Sequence, residues 1–222
     1  MHPTGTGRNG VMLVGEALGE QEAAKGEPFV GPAGYTLEKI IKRGGMARED
    51  FVIANTVWCR PPFNKLAGAW YTTPAIDHCR QYLDAAVREY HPKCLVALGG
   101  IAAHALIPTL PTSITKARGY AFWSDRYKLW VIPTIHPSFI MRGQTAWAQV
   151  LLYDIQHATE IAREGYSYVE PDYTLDPTIS DALKWVDEFE RYYGGHPDLY
   201  LSTDIETPDK DAEEEDLSLE DG

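Results

Sequence analysis

The chain of 222 residues is long enough for one full α/β domain with a smaller appendage, and two large domains would be a tight fit. Its hydrophobic fraction of 44% and charged fraction of 23% are ordinary for a globular protein, and no apolar run reaches the roughly 18–20 residues of a membrane helix. Met1–Gly10 has no apolar region of the kind found in signal peptides. We therefore expect a cytoplasmic protein, located in the host cytoplasm if its source is viral.

The formal charge of −12 is concentrated at the carboxyl-terminal end. Residues 203–222 hold ten carboxylates and one lysine, which leaves −3 for residues 1–202. A nearly neutral body can still carry a basic groove for phosphates. The overall charge therefore does not exclude a DNA-binding protein.

Four short β-rich runs alternate with helical patterns over the first 165 residues. The predicted strands are Val11–Gly15, Phe51–Val57, Cys94–Gly99 and Leu129–Ile135. The predicted helices lie at about 34–44, 74–91, 100–107 and 144–164. Near-continuous apolar strands indicate a sheet covered on both faces, and the alternation favours parallel winding. The sequence thus predicts a three-layer α/β/α domain over residues 1–165, with a four-stranded, mainly parallel central sheet.

The pattern changes after residue 165. Residues 166–198 indicate a linker followed by a helix: Tyr166–Pro177 favours an irregular connection, and Ser180–Tyr193 favours the helix. A strand is predicted at Leu199–Asp204. Asp209–Gly222 is acidic and has no aromatic residue, which is typical of a disordered tail.

The segments that follow the predicted strands carry the distinctive residues. Gly15–Glu22 and Gly26–Gly34 follow the first strand, Asn55–Lys65 follows the second, and His136–Arg142 follows the fourth. Ligands of open α/β sheets bind outside the carboxyl ends of the strands. These four loops are therefore predicted to meet at one binding site, with Gly15 and Ala17 lining it.

Chemistry on a nucleobase in a duplex requires that the base be extruded and then read by stacking and hydrogen bonds. The loops contain suitable groups. Phe29 is a candidate stacking ring, Asn55 offers a donor and an acceptor, and His136 can stabilise charge on a carbonyl oxygen. Glu16 or Glu22 can position a water molecule or stabilise a cationic sugar. Each residue alone also has an ordinary structural explanation, so the hypothesis depends on their joint placement.

The last of these loops has the composition of a DNA contact. Ile140 or Met141 is predicted to wedge into the gap that an extruded base leaves, and Arg142 to meet a phosphate. Ser138 lies in the same segment and is counted with them as a candidate DNA-binding residue.

Six segments in order resemble the family four uracil-DNA glycosylases, the iron–sulfur branch of that superfamily: GEALGEQE, GEPFVGPAG, NTVWCRPPFNK, LVALGGIAAHAL, SITKARG and HPSFIMR. The resemblance covers about residues 11–160. It implies that Glu16 is the catalytic acidic residue, with Glu22 at a second acidic position. It also implies stacking by Phe29, base reading by Asn55 and a catalytic role for His136. The implied reaction is hydrolysis of the N-glycosidic bond of deoxyuridine in single- or double-stranded DNA, as in base excision repair.

The sequence departs from that family at Leu18, where the family has proline. Proline presets φ and narrows the unfolded ensemble, so its replacement predicts looser positioning of Glu16.

A second departure concerns cysteine. The family binds a four-iron cluster through four cysteines, and only Cys59 and Cys79 map to them. Cys94 lies inside a predicted buried strand and is better explained as core. We therefore expect no cluster and no other cofactor in this chain. The alternative is a cluster completed by further ligands such as His2 or His78.

Leu201–Thr207 resembles the first motif of the proofreading 3′→5′ exonucleases of DNA polymerases. In those enzymes two carboxylates, here Asp204 and Glu206, hold divalent metals. The remaining exonuclease motifs would have to lie beyond Gly222. The resemblance thus predicts the N-terminal part of a longer polypeptide, such as a phage-type DNA polymerase with a glycosylase-like domain in front.

Three functions remain open from the sequence. The first is an active uracil-DNA glycosylase. The second is a catalytically weak or inactive module that binds uracil or DNA beside a polymerase, which Leu18 and the missing cysteines favour. The third is an unrelated nucleotide-binding α/β protein, supported only by the glycine-rich first loop.

Overall fold

The computed structural model describes residues 1–168 and 178–194, without the side chains of residues 192 and 193. Two compact units divide the chain, Met1–Tyr168 and Val169–Gly222. The first unit contains a five-stranded sheet in the order β2-β1-β3-β5-β4. Its strands are β1 Val11–Ala17, β2 Val52–Val57, β3 Cys94–Leu98, β4 Phe122–Ser124 and β5 Leu129–Thr134. Strands β1, β2, β3 and β5 pair in parallel, and β4 pairs with β5 antiparallel.

The predicted fold class is confirmed, with one strand added. The sequence pattern predicted four strands and missed β4, which is only three residues long. A strand this short has no alternation that a sequence pattern can detect, and it pairs on one side only, at the edge of the sheet.

Five of the described helices correspond to predicted ones, and three further short helices lie in the connections. The helices are α1 Glu20–Lys25, α2 Pro32–Arg43, α3 Thr72–Tyr90, α4 Gly100–Leu106, α5 Ile114–Ala117, α6 Pro137–Met141, α7 Trp147–Glu164 and α8 Ile179–Tyr193. Helices α1, α5 and α6 were not predicted, because four to six residues span too few turns to show a helical period. Short 3₁₀ turns lie at Arg48–Asp50 and Pro62–Asn64.

The alternation of side chains along β1 explains the three layers. Val11 and Leu13 pack into one buried cluster with α2 and α7, whereas Met12 and Val14 pack into a second cluster with α3 and α4. Both faces of the sheet are therefore covered by helices, as the apolar strands predicted. Cys94 is fully buried in the first cluster, in agreement with its predicted place in the core.

The segment before β1 adds to the outer edge of β2. Thr4 and Ile53 exchange two backbone hydrogen bonds, Thr4 N–H to Ile53 O at 3.1 Å and Ile53 N–H to Thr4 O at 2.8 Å. This antiparallel bridge covers part of an edge that would otherwise be unpaired. It also carries Met1 and His2 to the side of the sheet where β2 ends.

The second unit is described only at residues 178–194. Thr178 caps α8, since its hydroxyl accepts a hydrogen bond from the Asp181 N–H while the Asp181 carboxylate accepts from the Thr178 N–H. The predicted strand at Leu199–Asp204, the acidic tail and the candidate metal ligands Asp204 and Glu206 lie outside the described residues. No helix among the residues described has the length and apolar character to cross a bilayer.

Candidate active site

The site is organised around Gly15, near the carboxyl end of β1. Parallel pairing of β1 with β2 sets Gly15 beside Asn55. A Cβ atom at Gly15 would lie 2.4 Å from Asn55 Oδ1 and 2.5 Å from the Phe29 ring, closer than real Cβ contacts allow. Glycine is therefore required at this position if the asparagine amide and the phenylalanine ring are to meet over the strand.

The Phe29 ring is held by its own backbone. Phe29 has a φ of +53°, in the left-handed region that bulky residues seldom adopt. The Arg48 guanidinium donates hydrogen bonds to Pro28 O at 2.7 Å and to Phe29 O at 2.9 Å. A Cβ atom at Gly34 would lie 1.8 Å from Phe29 O, so α2 also approaches this turn closely. Sequence reasoning missed Arg48, since a lone arginine before β2 carries no motif.

The buried Asn55 amide lacks one of the hydrogen bonds that it can form among the described residues. The residue is 1% exposed, and Oδ1 has no hydrogen-bond partner within the described part of the chain. Nδ2 makes only a long contact of 3.7 Å with Met1 Sδ. A buried acceptor without a hydrogen-bond partner destabilises the folded protein, and such groups are rare unless a ligand supplies the missing hydrogen bond. The amide thus lacks a donor that a bound molecule can provide.

His136 enters the site as the N-cap of α6, directly after β5. Its Nδ1 accepts a hydrogen bond from the Ser138 N–H at 3.1 Å and lies 2.8 Å from Ser138 Oγ. A ring nitrogen that accepts from a backbone N–H carries no proton, so the proton of the neutral imidazole is on Nε2. The His136 and Phe29 ring centroids are 5.6 Å apart. The structure therefore brings His136, Phe29 and Asn55 together.

Burial keeps His136 neutral. It lowers the pKa of the imidazole to about 4, with a further lowering by the Arg142 cation and an opposing effect of the Glu22 carboxylate. At neutral pH the ring is therefore an uncharged donor through Nε2–H.

The two acidic residues differ in their surroundings. Glu16 follows Gly15 in β1 and is half-buried, and burial raises the pKa of its carboxyl group. Its carboxylate takes part in no hydrogen bond or ion pair with the residues that the structure describes. Glu22 accepts a hydrogen bond from the Gly31 N–H at 2.7 Å and so couples the first loop to the second. Glu16 is therefore the carboxylate left free to bind water.

Leu18 anchors the first loop by burial. Its side chain is 5% exposed. The sequence predicted looser positioning of Glu16 because proline is missing here. The structure adds a constraint of another kind, since the buried Leu18 side chain must leave its packing before the loop can leave its position. Looser positioning of Glu16 stays a prediction. Ala17, the other residue predicted to line the site, packs against the buried cluster around Leu66.

The predicted DNA-contacting loop divides into exposed and buried residues. Ile140 is 6% exposed and belongs to the core, so its predicted role as a wedge is corrected: α6 turns it inward. Met141 is 48% exposed and presents its side chain to solvent. Ser138 holds the His136 ring, and the Arg142 guanidinium lies 5.8 Å from the Phe139 ring centroid. The wedge remains a prediction for Met141, as does the phosphate contact for Arg142.

A buried network behind the site also escaped sequence reasoning. Asp154 on α7 is 3% exposed and accepts hydrogen bonds from Thr134 Oγ1 at 2.5 Å and from Arg118 at 3.1 Å. Thr134 is the last residue of β5, two positions before His136. The network therefore fixes the end of the strand that delivers the histidine. The SITKARG segment, which contains Arg118, was the one available sequence signal.

Cys59 and Cys79 lie at a separate cavity of about 470 Å³. Its lining comprises Met1, His2, Trp58, Cys59, His78, Cys79 and Tyr82. The two thiols interact with each other, and Cys79 Sγ accepts a hydrogen bond from the Trp58 N–H at 3.3 Å. Over residues 1–168 and 178–194, no group of three or more potential ligands is arranged to hold a metal ion. The two thiols lie beside His2 and His78, the further ligands that the alternative named, whereas a four-iron cluster takes four ligands as a rule.

The fold and the site together define an open α/β protein with an aromatic ring and an amide side by side at the carboxyl edge of a parallel sheet, the edge at which such sheets bind ligands. Comparison with known proteins gives the family. The family model described as the uracil DNA glycosylase superfamily matches residues 2–156. The chain belongs to this superfamily.

Named relatives narrow the assignment to one branch. The type-4 uracil-DNA glycosylase of Thermotoga maritima is 37% identical over 161 residues, which cover 70% of this chain and 79% of that protein. The type-4 uracil-DNA glycosylase of Sulfurisphaera tokodaii is 38% identical over 158 residues, covering 68% of this chain and 70% of that protein. The enzyme of the same name from Pyrobaculum aerophilum is 40% identical over 138 residues, which cover 60% of this chain and 68% of that protein. The resemblance found in the sequence motifs is thus confirmed.

The neutral state of His136 can be measured by NMR on ¹⁵N-labelled protein, with His136→Asn to assign its signals. We expect no titration of His136 between about pH 7.5 and 5.5 and a proton on Nε2, because its pKa is lowered to about 4. An unfolded histidine takes up its proton near pH 6.5. The stability contributed by the neutral ring is therefore complete above that pH and is lost as the pH falls toward 4. A midpoint near 6.5 in the folded protein, or a proton on Nδ1, contradicts the assignment.

Proposed function

We propose that this chain hydrolyses the N-glycosidic bond of deoxyuridine in DNA and releases uracil. The observation that carries the proposal is the meeting of Asn55 and Phe29 over Gly15, with the His136 ring centroid 5.6 Å from that of Phe29. Membership of the uracil DNA glycosylase superfamily and the names of the type-4 relatives support the same conclusion. The fold thus provides stacking, edge recognition and a polar donor in one place.

Recognition of uracil follows from the amide of Asn55. The base offers an N–H donor next to a carbonyl oxygen, and Asn55 offers an acceptor next to a donor. Oδ1 has no partner among residues 1–168 and 178–194, so it is available to accept from the base N–H. Nδ2 exchanges its long contact with Met1 Sδ for the base carbonyl. The Phe29 ring stacks against the base and completes the site.

Bond cleavage places negative charge on the departing base. The Nε2–H of His136 donates to the uracil O2 as that charge develops. One such preorganised donor is worth about 2.7–4 kcal/mol. Because the ring is already neutral and oriented by Ser138, no proton has to move before the reaction begins. The sugar left behind has oxocarbenium character, and the Glu16 carboxylate stabilises it and orients the attacking water.

Uracil release can be tested with uracil-containing oligonucleotides followed by alkaline scission of abasic sites. We expect His136→Asn to lower the rate about 10²–10³-fold, the effect of losing one oriented donor. Glu16→Ala is expected to lose most of the activity, and the wild-type rate is expected to fall on acidification, because burial raises the pKa of Glu16 and protonation removes its charge. The exposed residues His104 and Glu160 provide matched controls as His104→Asn and Glu160→Gln. Equal rates in all four variants contradict the assignment of roles.

The alternative is a module that binds uracil or DNA without excising it, which Leu18 and the incomplete cysteine set favour. The same assay separates the two functions. Binding of the uracil oligonucleotide without strand scission supports the module. The absence of both binding and scission contradicts either function.

We also propose that the 222-residue polypeptide binds no stoichiometric four-iron cluster. Of the three described thiols, only Cys59 and Cys79 lie at the cavity, Cys94 is buried in the core, and a cluster takes four ligands. Iron analysis and visible absorption of anaerobically purified protein measure this directly. We expect a colourless protein with an iron content that does not change in Cys59→Ser/Cys79→Ser. A brown protein with about four irons per chain, lost in that double variant, contradicts the proposal.

A further inference from the structure

Two aromatic rings project into solvent from the loop that joins β2 to α3. Phe63 is 98% exposed and Trp70 is 88% exposed. Trp70 makes an edge contact with the Tyr71 ring, at a centroid distance of 5.6 Å. Aromatic side chains are large apolar groups whose removal from water is favourable. Two of them left in water on one loop are therefore candidates for contact with a ligand.

The loop that carries the rings is firmly held. Leu66 is 1% exposed and anchors it in a buried cluster. The Tyr71 hydroxyl donates to Lys65 O at 2.6 Å, and Thr72 Oγ1 donates to Leu66 O at 2.5 Å and to Ala69 O at 2.7 Å. The rings are thus presented by a fixed backbone, which lowers the entropy lost when a ligand binds.

Phe63 also has an unusual backbone conformation. Its φ of +55° and ψ of +23° lie in the left-handed region, which is uncommon for a bulky residue. The Arg60 guanidinium bridges the turn by donating to Asn64 Oδ1 at 2.6 Å. Strained backbone of this kind gathers at binding sites and active sites. At this strained position the Phe63 ring is exposed and packs into none of the buried clusters of the described residues.

The loop adjoins the uracil site. The Trp58 indole at its start donates to Asn55 O at 2.7 Å, and the cluster that contains Leu66 packs against Ala17 of the first loop. Arg60 also pairs with Glu20 at 3.5 Å. Helix α6, which carries Met141, follows β5, and β5 lies three strand spacings from β2, or about 14 Å. The base site thus lies between α6 and the loop that carries Phe63 and Trp70.

Positive charge accompanies the rings. Lys65 is exposed and forms no ion pair with any residue in the described part of the chain. Arg60 lies at the start of the same loop, with a side chain 37% exposed. Aromatic rings beside cations are the combination that holds single-stranded nucleic acid, since rings stack on bases while cations meet phosphates.

We propose that Phe63 and Trp70 stack on unpaired bases that flank the uracil, so that the preferred substrate is single-stranded DNA. The proposal rests on the proposed function, because it names the strand that the uracil site receives. Bases within a duplex are covered by their neighbours on both faces, so only unpaired bases can stack on these rings. Lys65 meets the phosphate backbone between them.

Fluorescence anisotropy of the full chain with a labelled twelve-residue oligothymidylate tests the proposal without any uracil. We expect Phe63→Ala/Trp70→Ala to weaken binding by on the order of tenfold for each ring, the usual effect of losing a stacked base. The aromatic variant Phe63→Tyr/Trp70→Phe is expected to bind like the wild type. The matched control is Tyr153→Ala/Trp185→Ala, which removes two exposed aromatic side chains from α7 and α8 and should leave binding unchanged.

The salt dependence of oligothymidylate binding distinguishes base stacking from phosphate contacts. The alanine ring variant should keep the slope of log K against log salt, since no phosphate contact is removed, whereas Lys65→Ala should reduce it by about 0.7. Equal binding by the wild type and the alanine ring variant overturns the proposal, as does an equal loss on duplex DNA. Self-association of the wild type that disappears in the ring variant, with oligothymidylate binding unchanged, also overturns it in favour of a second copy of the chain.

A uracil-release assay run on the same proteins distinguishes the two hypotheses. Ring-dependent binding of oligothymidylate with no release of uracil supports the stacking surface and contradicts the proposed function. Release of uracil, together with oligothymidylate binding that does not depend on Phe63 and Trp70, overturns the stacking proposal and leaves the proposed function supported.

Discussion

The close approach of Asn55 and Phe29 over Gly15 is the constraint on which the site depends. Parallel pairing of β1 with β2 sets the amide beside the glycine, and the Arg48 clamp on the backbone of Phe29 sets the ring. The amide and the ring leave no room for a side chain at position 15, where a Cβ atom would lie 2.4 Å from Asn55 Oδ1. The geometry of the base site is thus fixed by the sheet and by a missing side chain.

Burial gives the site its chemical character. The Asn55 oxygen has no partner among the described residues and therefore carries a free-energy penalty in the empty protein. A base with complementary polar atoms removes this penalty on binding. Burial disfavours the charged form of His136 and keeps the ring neutral, so the donor is already in place when charge develops on the leaving base. The Asp154 network behind β5 and the buried Leu18 keep these groups at their positions.

The sequence predicted the α/β fold and drew its main site residues from strand ends, because apolar strands and glycine-rich loops have local patterns. It missed β4 and the short helices, because they are too short to show a strand or helix period. It also named Ile140 as a candidate DNA contact, although α6 turns this residue into the core. Arg48 and Asp154 act through tertiary contacts that no local pattern reveals. The roles of Glu16, Phe29, Asn55 and His136 stay predictions that the geometry supports. The exonuclease-type motif at Leu201–Thr207 falls outside the described residues.

The central claim is that Gly15 must lack a side chain for the base to be bound. The direct measurement is the rate of uracil release by Gly15→Ala, compared with Gly100→Ala, where a Cβ atom would meet nothing within 4 Å. Circular dichroism should first show that both variants are folded. We expect the Gly15 variant to be about 100-fold slower, since displacement of the amide and the ring by about 1 Å misplaces the base, and the Gly100 variant to match the wild type. Release of uracil by Gly15→Ala at the wild-type rate contradicts the account.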